Sequence, residues 1–413
     1  MPGPDGAVPP VPTDLAWRTV GSATPGDPSV RLPVLEMDLL RDAQRQLEIC
    51  NACRYCEGIC AVFPAIERRR AFQAGDVLLL ANLCHDCRTC YYVCPFTPPH
   101  QFEINIPRMM SRVREATYRG YAWPRWLAQF LVDQGPGLAL ILLFSLAVAV
   151  AASFLWAGPT ALTSARTGPG AFYTVFPWLW MFVPATLLTV VGFAVAGLGV
   201  LHFWRDVGSS SAVRAAGARP LLGAIGDALT LRYLDGGGPG CDYPEESPSR
   251  ARKWAHHLVF LGFAAAFVST TLAFVQQEIF GVLPPYPYAS APVLFGAAGG
   301  IAMIGGGIAL WALKLRSERA PASLVMFAKD QAFIALLLLV NVTGMALLLL
   351  RDTPGMGIML NLHLAAVLGF YLTAPYGKLV HALYRTGALF RDRLERHAEL
   401  TVGTAVWTRS APR

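Results

Sequence analysis

Cys50-Asn-Ala-Cys53-Arg-Tyr-Cys56-Glu-Gly-Ile-Cys60 is followed by a second run of the same form, Cys84-His-Asp-Cys87-Arg-Thr-Cys90-Tyr-Tyr-Val-Cys94-Pro95. Both read C-x2-C-x2-C-x3-C, the spacing of bacterial two-cluster ferredoxins, and together they hold eight of the nine cysteines. A cubane cluster needs four thiolates on a tight shell. The x2 spacings let three sulfurs converge from one loop, while the fourth cysteine of each run is carried past and ligates the other cluster. The runs therefore assign one [4Fe-4S] cluster to Cys50, Cys53, Cys56 and Cys94, and the other to Cys84, Cys87, Cys90 and Cys60. Structural zinc uses ligand pairs rather than two quartets at this spacing, and a disulfide framework needs an oxidising compartment. Between the runs, residues 61–83 carry helix-forming stretches such as Ile66-Glu-Arg-Arg-Arg-Ala-Phe72. The expectation is a helical dicluster ferredoxin domain.

Outward from this stretch, the 413 residues are 54% hydrophobic and 15% charged, far from a soluble average. Several apolar runs are long enough to cross a bilayer. A net charge of +7 would suit nucleic acid, but the cations flank the apolar runs, which is a membrane-topology signature and excludes that reading. Residues 1–35 are rich in Pro, Gly and Ala and lack the apolar core of a secretory signal, so they read as a disordered tail. Residues 36–110 form the cluster domain. Residues 111–136 carry Tyr118, Tyr121, Trp123, Trp126 and several arginines, and read either as an interfacial helix or as an ordinary amphipathic linker. A membrane domain follows over 137–385, with a tail at 386–413. The expected fold class is all-α, a helical ferredoxin domain followed by a six-helix transmembrane bundle.

Hydropathy places the six spans at 137–156, 174–201, 254–275, 292–313, 331–350 and 359–382. The loop over 203–253 is basic, with Arg205, Arg214, Arg219, Arg232, Arg250, Arg252 and Lys253, and the loop after the fourth span adds Lys314, Arg316, Arg319 and Lys329. The other loops hold little beyond Arg166 and Arg351. The positive-inside rule then puts the cluster domain, the basic loops and both termini in the cytoplasm of a cell whose inner membrane holds the spans. Within the basic loop, Leu221 to Leu234 has apolar residues at helical spacing, as in a surface-lying helix. The ninth cysteine, Cys241, ends the glycine-rich turn Asp235-Gly-Gly-Gly-Pro-Gly-Cys241 and reads as a bystander, because both clusters already have four ligands.

Of eight histidines, His202, His256, His257, His363 and His381 lie in or at the ends of spans. Ionisable residues there are functional candidates. His363 and His381 are 18 residues apart, five helical turns, and so are expected to share one face of the sixth span, about 27 Å apart. His256 and His257 open the third span level with His381. Two axial imidazoles from facing helices are what a b-type haem needs. The preferred pair is His256 with His381, and His257 is the alternate. Gly262 would make room for the macrocycle, and Arg252, Lys253 and Lys378 would meet its propionates. The other reading is of interfacial histidines at helix ends. His363 has no visible partner and is read as lining a quinone or proton site.

These residues resemble the tricarballylate/citrate utilization protein B family. The resemblance runs through Cys50 to Pro64, Leu80-Ala-Asn-Leu-Cys-His-Asp-Cys87, Pro98-Pro-His-Gln-Phe102, Leu231-Arg-Tyr-Leu-Asp-Gly-Gly-Gly-Pro-Gly-Cys-Asp-Tyr243, the His256-His257 pair and Pro375-Tyr-Gly-Lys-Leu-Val-His381. The last four spans also look like the nitrate reductase gamma-type haem bundle, which favours the His256 (or His257) and His381 pair. The departure from a two-haem pattern is the lack of a histidine deeper in span three. The resemblance implies an electron-transfer partner for a soluble FAD dehydrogenase that oxidises tricarballylate to cis-aconitate. Electrons would pass through both clusters and haem b to membrane quinone. No Gly-x-Gly-x-x-Gly fingerprint follows a strand, so the flavin, and the substrate site with it, belongs to a partner chain. Two other readings stand beside this one: a membrane subunit of a heterodisulfide reductase-like complex, and an iron–sulfur redox sensor or regulator.

Overall fold

In the computed structural model, which describes residues 34–60, 62–132, 136–207, 219–236 and 238–410, the chain is all-α apart from one short ribbon that pairs Cys241–Asp242 with Pro248–Ser249. The proposed N-terminal tail lies almost wholly outside the described residues. The cysteine-rich part is built from α1 (Met37–Cys53), α2 (Phe63–Glu67), α3 (Ala74–Leu83), α4 (Thr89–Tyr92) and α5 (Ile106–Tyr121). As expected, the interval between the cysteine runs is helical. α3 opens with a capping box of Gln73 and Asp76 and is buried from Val77 to Leu83. α5 starts behind an Asn105 cap that accepts from the Arg108 N–H. It packs on α1 and α3, so it crosses the boundary expected at residue 110. Its Tyr118 and Tyr121 are buried, whereas Trp123 and Trp126, at the start of α6 (Arg125–Val132), are exposed.

Six long apolar helices follow: α7 (Pro136–Ala157), α8 (Trp178–Val207), α10 (Ala251–Glu278), α11 (Ala291–Arg316), α12 (Leu324–Leu350) and α13 (Met356–Thr373). At least 18 residues each, they are long enough to cross a bilayer. Between α8 and α10 lies α9 (Arg219–Leu229). One face of α9 is held to the C-terminal helix by Asp227, which accepts from Arg393 at 2.6 and 2.8 Å, while Leu222 and Leu229 remain exposed. α10 and α11 approach most closely through glycines. A Cβ on Gly299 would lie 2.7 Å from the Gly262 carbonyl oxygen, and the converse distance is the same. Small residues of this kind are how membrane helices bring their backbones together.

The sixth span needs correction. α13 stops at Thr373, where Pro375 removes a backbone donor and disfavours helix in the residue before it. A 3-10 turn over Lys378–Val380 follows, and α14 (His381–Ser410) then starts as a separate helix. His363 and His381 therefore do not share one helical face. The residues expected as a tail are also not free. In α14, Asp392 is fully buried between Arg68 and Arg396, and Glu395 accepts from Arg69 at 3.0 Å. α14 packs on α3, α8 and α9 and so ties the cysteine-rich helices to the bundle.

Candidate metal centres

The loops that carry the thiols are turned by residues in left-handed backbone conformations. Arg54 (φ 56°) caps α1 by donating its N–H to the Cys50 carbonyl, and Asp86 (φ 56°) and Arg88 (φ 69°) reverse the chain between Cys84 and Cys90. Such conformations cost a non-glycine residue energy and cluster at functional sites. All nine cysteines are free thiols. Cys60, Cys84, Cys87 and Cys90 line one small hollow, together with His85, Tyr233, Met110 and Ile106. Burial pushes Cys60 up to about 12, with Cys84 and Cys56 adding to it. Burial raises Cys90 and Cys87 as well, and Cys60 leads the neighbouring thiols that act on each. On the other side, Cys94 is raised by burial, with Cys56 and Cys53 as its thiol neighbours. Hydrogen bonding between Cys50 and Cys56 raises the first and lowers the second to about 7. The fourth cysteine of each run is thus a neighbour of the other run's trio. Among the described residues no three donor groups converge on a single ion. A cubane shell is wider, because each thiolate holds a different corner.

The two groups differ in setting. Cys53 is exposed, and Tyr55 beside it is 72% exposed. The Cys84 loop instead lies against the bundle. Its carbonyl accepts from Arg114 of α5 at 2.9 Å and from Arg385 of α14 at 3.0 Å. The Asp86 carbonyl accepts from Arg252 of α10 at 2.7 Å, and Arg88 donates to the Glu318 carbonyl at 3.0 Å.

One helical turn before Arg385, His381 faces His256, with ring centroids 6.1 Å apart and planes at 78°. With nitrogen–metal bonds of about 2 Å on each side, this spacing suits an ion shared by two imidazoles. The Lys378 carbonyl, which can only accept, lies 2.6 Å from His381 Nδ1. Nδ1 therefore carries the proton and Nε2 keeps its lone pair, the arrangement found in metal-bound histidines. Burial, then Lys378 and His256, lowers the His381 pKa to about 3. The half-buried His256 has no partner at Nδ1. On ring spacing and tautomer, the two imidazoles would hold one metal ion between them.

His257 points elsewhere, with Trp254 as its ring neighbour at 5.8 Å. His363 stands apart from the pair, on α13, 3.2 Å from the Thr343 hydroxyl and over Gly344 of α12. His202 is exposed at the end of α8. Gly262 does not open space for a macrocycle, because its bare face is taken up by Gly299 and Met303. Lys378 pairs with Asp330 at 2.8 Å and Lys253 with Asp235 at 2.5 Å, so neither is held in reserve for a propionate.

Sequence reasoning missed His85, Arg114 and Arg385, and undervalued the glycine-rich turn. His85 is buried and stacked on Tyr233 at 5.2 Å. Burial, then Arg385, Arg252 and Arg114, pushes its pKa well down. Its position inside Cys84-His-Asp-Cys87 was the available signal. The turn ends in Cys241, which is fully buried beside Cys87 and donates to the Leu234 carbonyl at 3.1 Å. The ring of Tyr243 takes Arg88 at 4.6 Å and Arg252 at 5.0 Å.

With this geometry established, comparison with known proteins is informative. Residues 132–401 match the family described as citrate utilization protein B, and residues 43–120 match that family's Fer4-like domain. The chain is 39% identical to the citrate utilization protein B of Escherichia coli over 372 residues, which cover 88% of this chain and 94% of the relative. No solved structure matches. The chain belongs to the citrate utilization protein B family.

Proposed function

We propose that this family member is the membrane electron-transfer subunit of a quinone-linked oxidoreductase, reached by a soluble FAD dehydrogenase that oxidises tricarballylate to cis-aconitate. In this reading Cys50, Cys53, Cys56 and Cys94 hold one [4Fe-4S] cluster, Cys60, Cys84, Cys87 and Cys90 hold the other, and His256 with His381 ligates haem b. Bound there, these groups supply one-electron carriers. The chain's own residues do the rest. The observation that carries the reading is the join between the two halves. The cavity of four thiols shares the Cys84 carbonyl with Arg385, and Arg385 stands one turn from the His256–His381 pair. Left-handed residues fix the thiol loops, and the Lys378 carbonyl fixes the His381 tautomer. The exposed side at Cys53 and Tyr55 faces the donor flavoprotein. His363, held by Thr343 inside the bundle, lines a quinone or proton site. In this reading the basic loops favour a cytoplasmic cluster side, with the spans in the inner membrane.

The test is tricarballylate-dependent reduction of a water-soluble quinone analogue by membranes that contain the full chain and the partner flavoprotein. The reading expects Cys53→Ala and His381→Ala each to lower the rate at least tenfold. Equal rates in membranes lacking the chain would remove it from the path.

A further inference from the structure

Around the Cys60, Cys84, Cys87 and Cys90 cavity lie guanidinium groups that have no carboxylate of their own. Arg114 is 4% exposed and spends its hydrogen bonds on the Ala81 and Cys84 carbonyls, at 3.1 and 2.9 Å. Arg385, partly buried, gives one hydrogen bond to the same Cys84 carbonyl, and its Nε has no partner. Arg252, partly buried, donates to the Asp86 carbonyl and covers Tyr243. Among the described residues none of the three forms a carboxylate ion pair. Nearby cations of the same chain do: Lys253 with Asp235, Lys314 and Lys378 with Asp330, Lys329 with Glu115, and Arg393 with Asp227. Asp86 is the acidic side chain beside this group, and it stands 3.8 Å from a fourth arginine, Arg88. Cations held out of water need a counter-charge. Beside the first thiol group Arg54 is exposed and donates to the Asn51 carbonyl.

We propose that Arg114, Arg252 and Arg385 are the counter-charge of the cluster on Cys60, Cys84, Cys87 and Cys90. They hold its reduction potential above that of the cluster on Cys50, Cys53, Cys56 and Cys94. A thiolate-ligated cluster is anionic, and each electron it accepts adds one negative charge. Fixed positive charge at low dielectric therefore favours the reduced form. With clusters bound at both sets of thiols, one electron would pass from the exposed one to the arginine-ringed one, with no bond or proton moving. Electrons enter beside Tyr55 and leave toward His381. Arg385 is a positioning residue here, because it fixes the Cys84 loop to the helix that begins with His381. The inference rests on the two-cluster reading above.

The experiment is a redox titration of the purified full chain followed by electron paramagnetic resonance, with iron counted per chain. Cys87→Ala and Cys53→Ala identify which signal belongs to which cluster. In Arg385→Met, the signal lost in Cys87→Ala should fall about tenfold in reduced-to-oxidised ratio at a fixed potential, a downward shift of ~59 mV for one electron. The other signal should not move. Arg385→Lys, which keeps the charge, should recover most of the shift. An unmoved midpoint in Arg385→Met, an equal shift of both signals, or a Lys variant as low as Met would overturn the proposal. Where Arg385→Met does not assemble, Arg252→Met is read by the same criteria. Absence of cluster iron in the unaltered chain would instead overturn the two-cluster reading itself.

Discussion

At the scale of single residues, the claims concern which side chain holds what. The crossed assignment of thiols predicts that Cys60→Ala and Cys87→Ala abolish the same paramagnetic signal, and that Cys94→Ala and Cys53→Ala abolish the other. An uncrossed arrangement would pair Cys60 with Cys53. The hollow that Cys60 lines together with Cys84, Cys87 and Cys90 favours the first outcome. For the histidines, His256→Ala should lose haem and His257→Ala should keep it, because His256 is the ring that faces His381. Haem content of the two purified variants decides this, and the reverse result would make His257 the ligand. The thiol spacing was legible in sequence because ferredoxin loops are local. His85, Arg114 and Arg385 were not, because they meet only after α5 and α14 have packed on α3.

At the scale of elements, α14 deserves a test as the tie between the two halves. Asp392 is buried between Arg68 and Arg396. Removing the buried carboxylate leaves Arg68 with Glu395 at 3.4 Å but takes the acidic partner at Asp392 from Arg396, and losing one member of a buried pair costs up to about 3 kcal/mol. Asp392→Ala should therefore lower the thermal unfolding midpoint of the detergent-solubilised chain. No change would mean that the ion pairs do not hold α14 in place. In the bundle, Gly299→Val would drive its side chain into the Gly262 carbonyl, at a cost of about 1–3 kcal/mol. The same thermal measurement on this variant checks whether α10 and α11 approach as closely as described. Five of the six spans could be located from hydropathy, because a bilayer sets a minimum length for apolar helix, although the fifth begins at Leu324 rather than 331 and the second runs on to Val207 rather than 201. The sixth could not. Apolar residues continue past Thr373, and it takes Pro375 and the following turn to end the helix and set His381 on a new axis.

At the scale of the whole molecule, six spans return the chain to the side on which it began. On the proposed orientation the basic loops and the cysteine helices share the cytoplasmic side, so reporters fused after α14 and within the loop between α8 and α10 should both report cytoplasm. One placed between α10 and α11 should report the opposite face. Opposite answers from the first two would break the span count. The central claim is a relay from thiol-held clusters to a histidine pair at the nearer membrane face. It is tested most directly by a reduced-minus-oxidised optical spectrum of the purified full chain, with haem and iron counted per chain. The account predicts a b-type haem near one per chain, alongside the roughly eight cluster irons that two cubanes require, and loss of that haem alone in His381→Ala. Clusters without any haem, even after reconstitution, would contradict it and leave the spans as an anchor for an iron–sulfur domain.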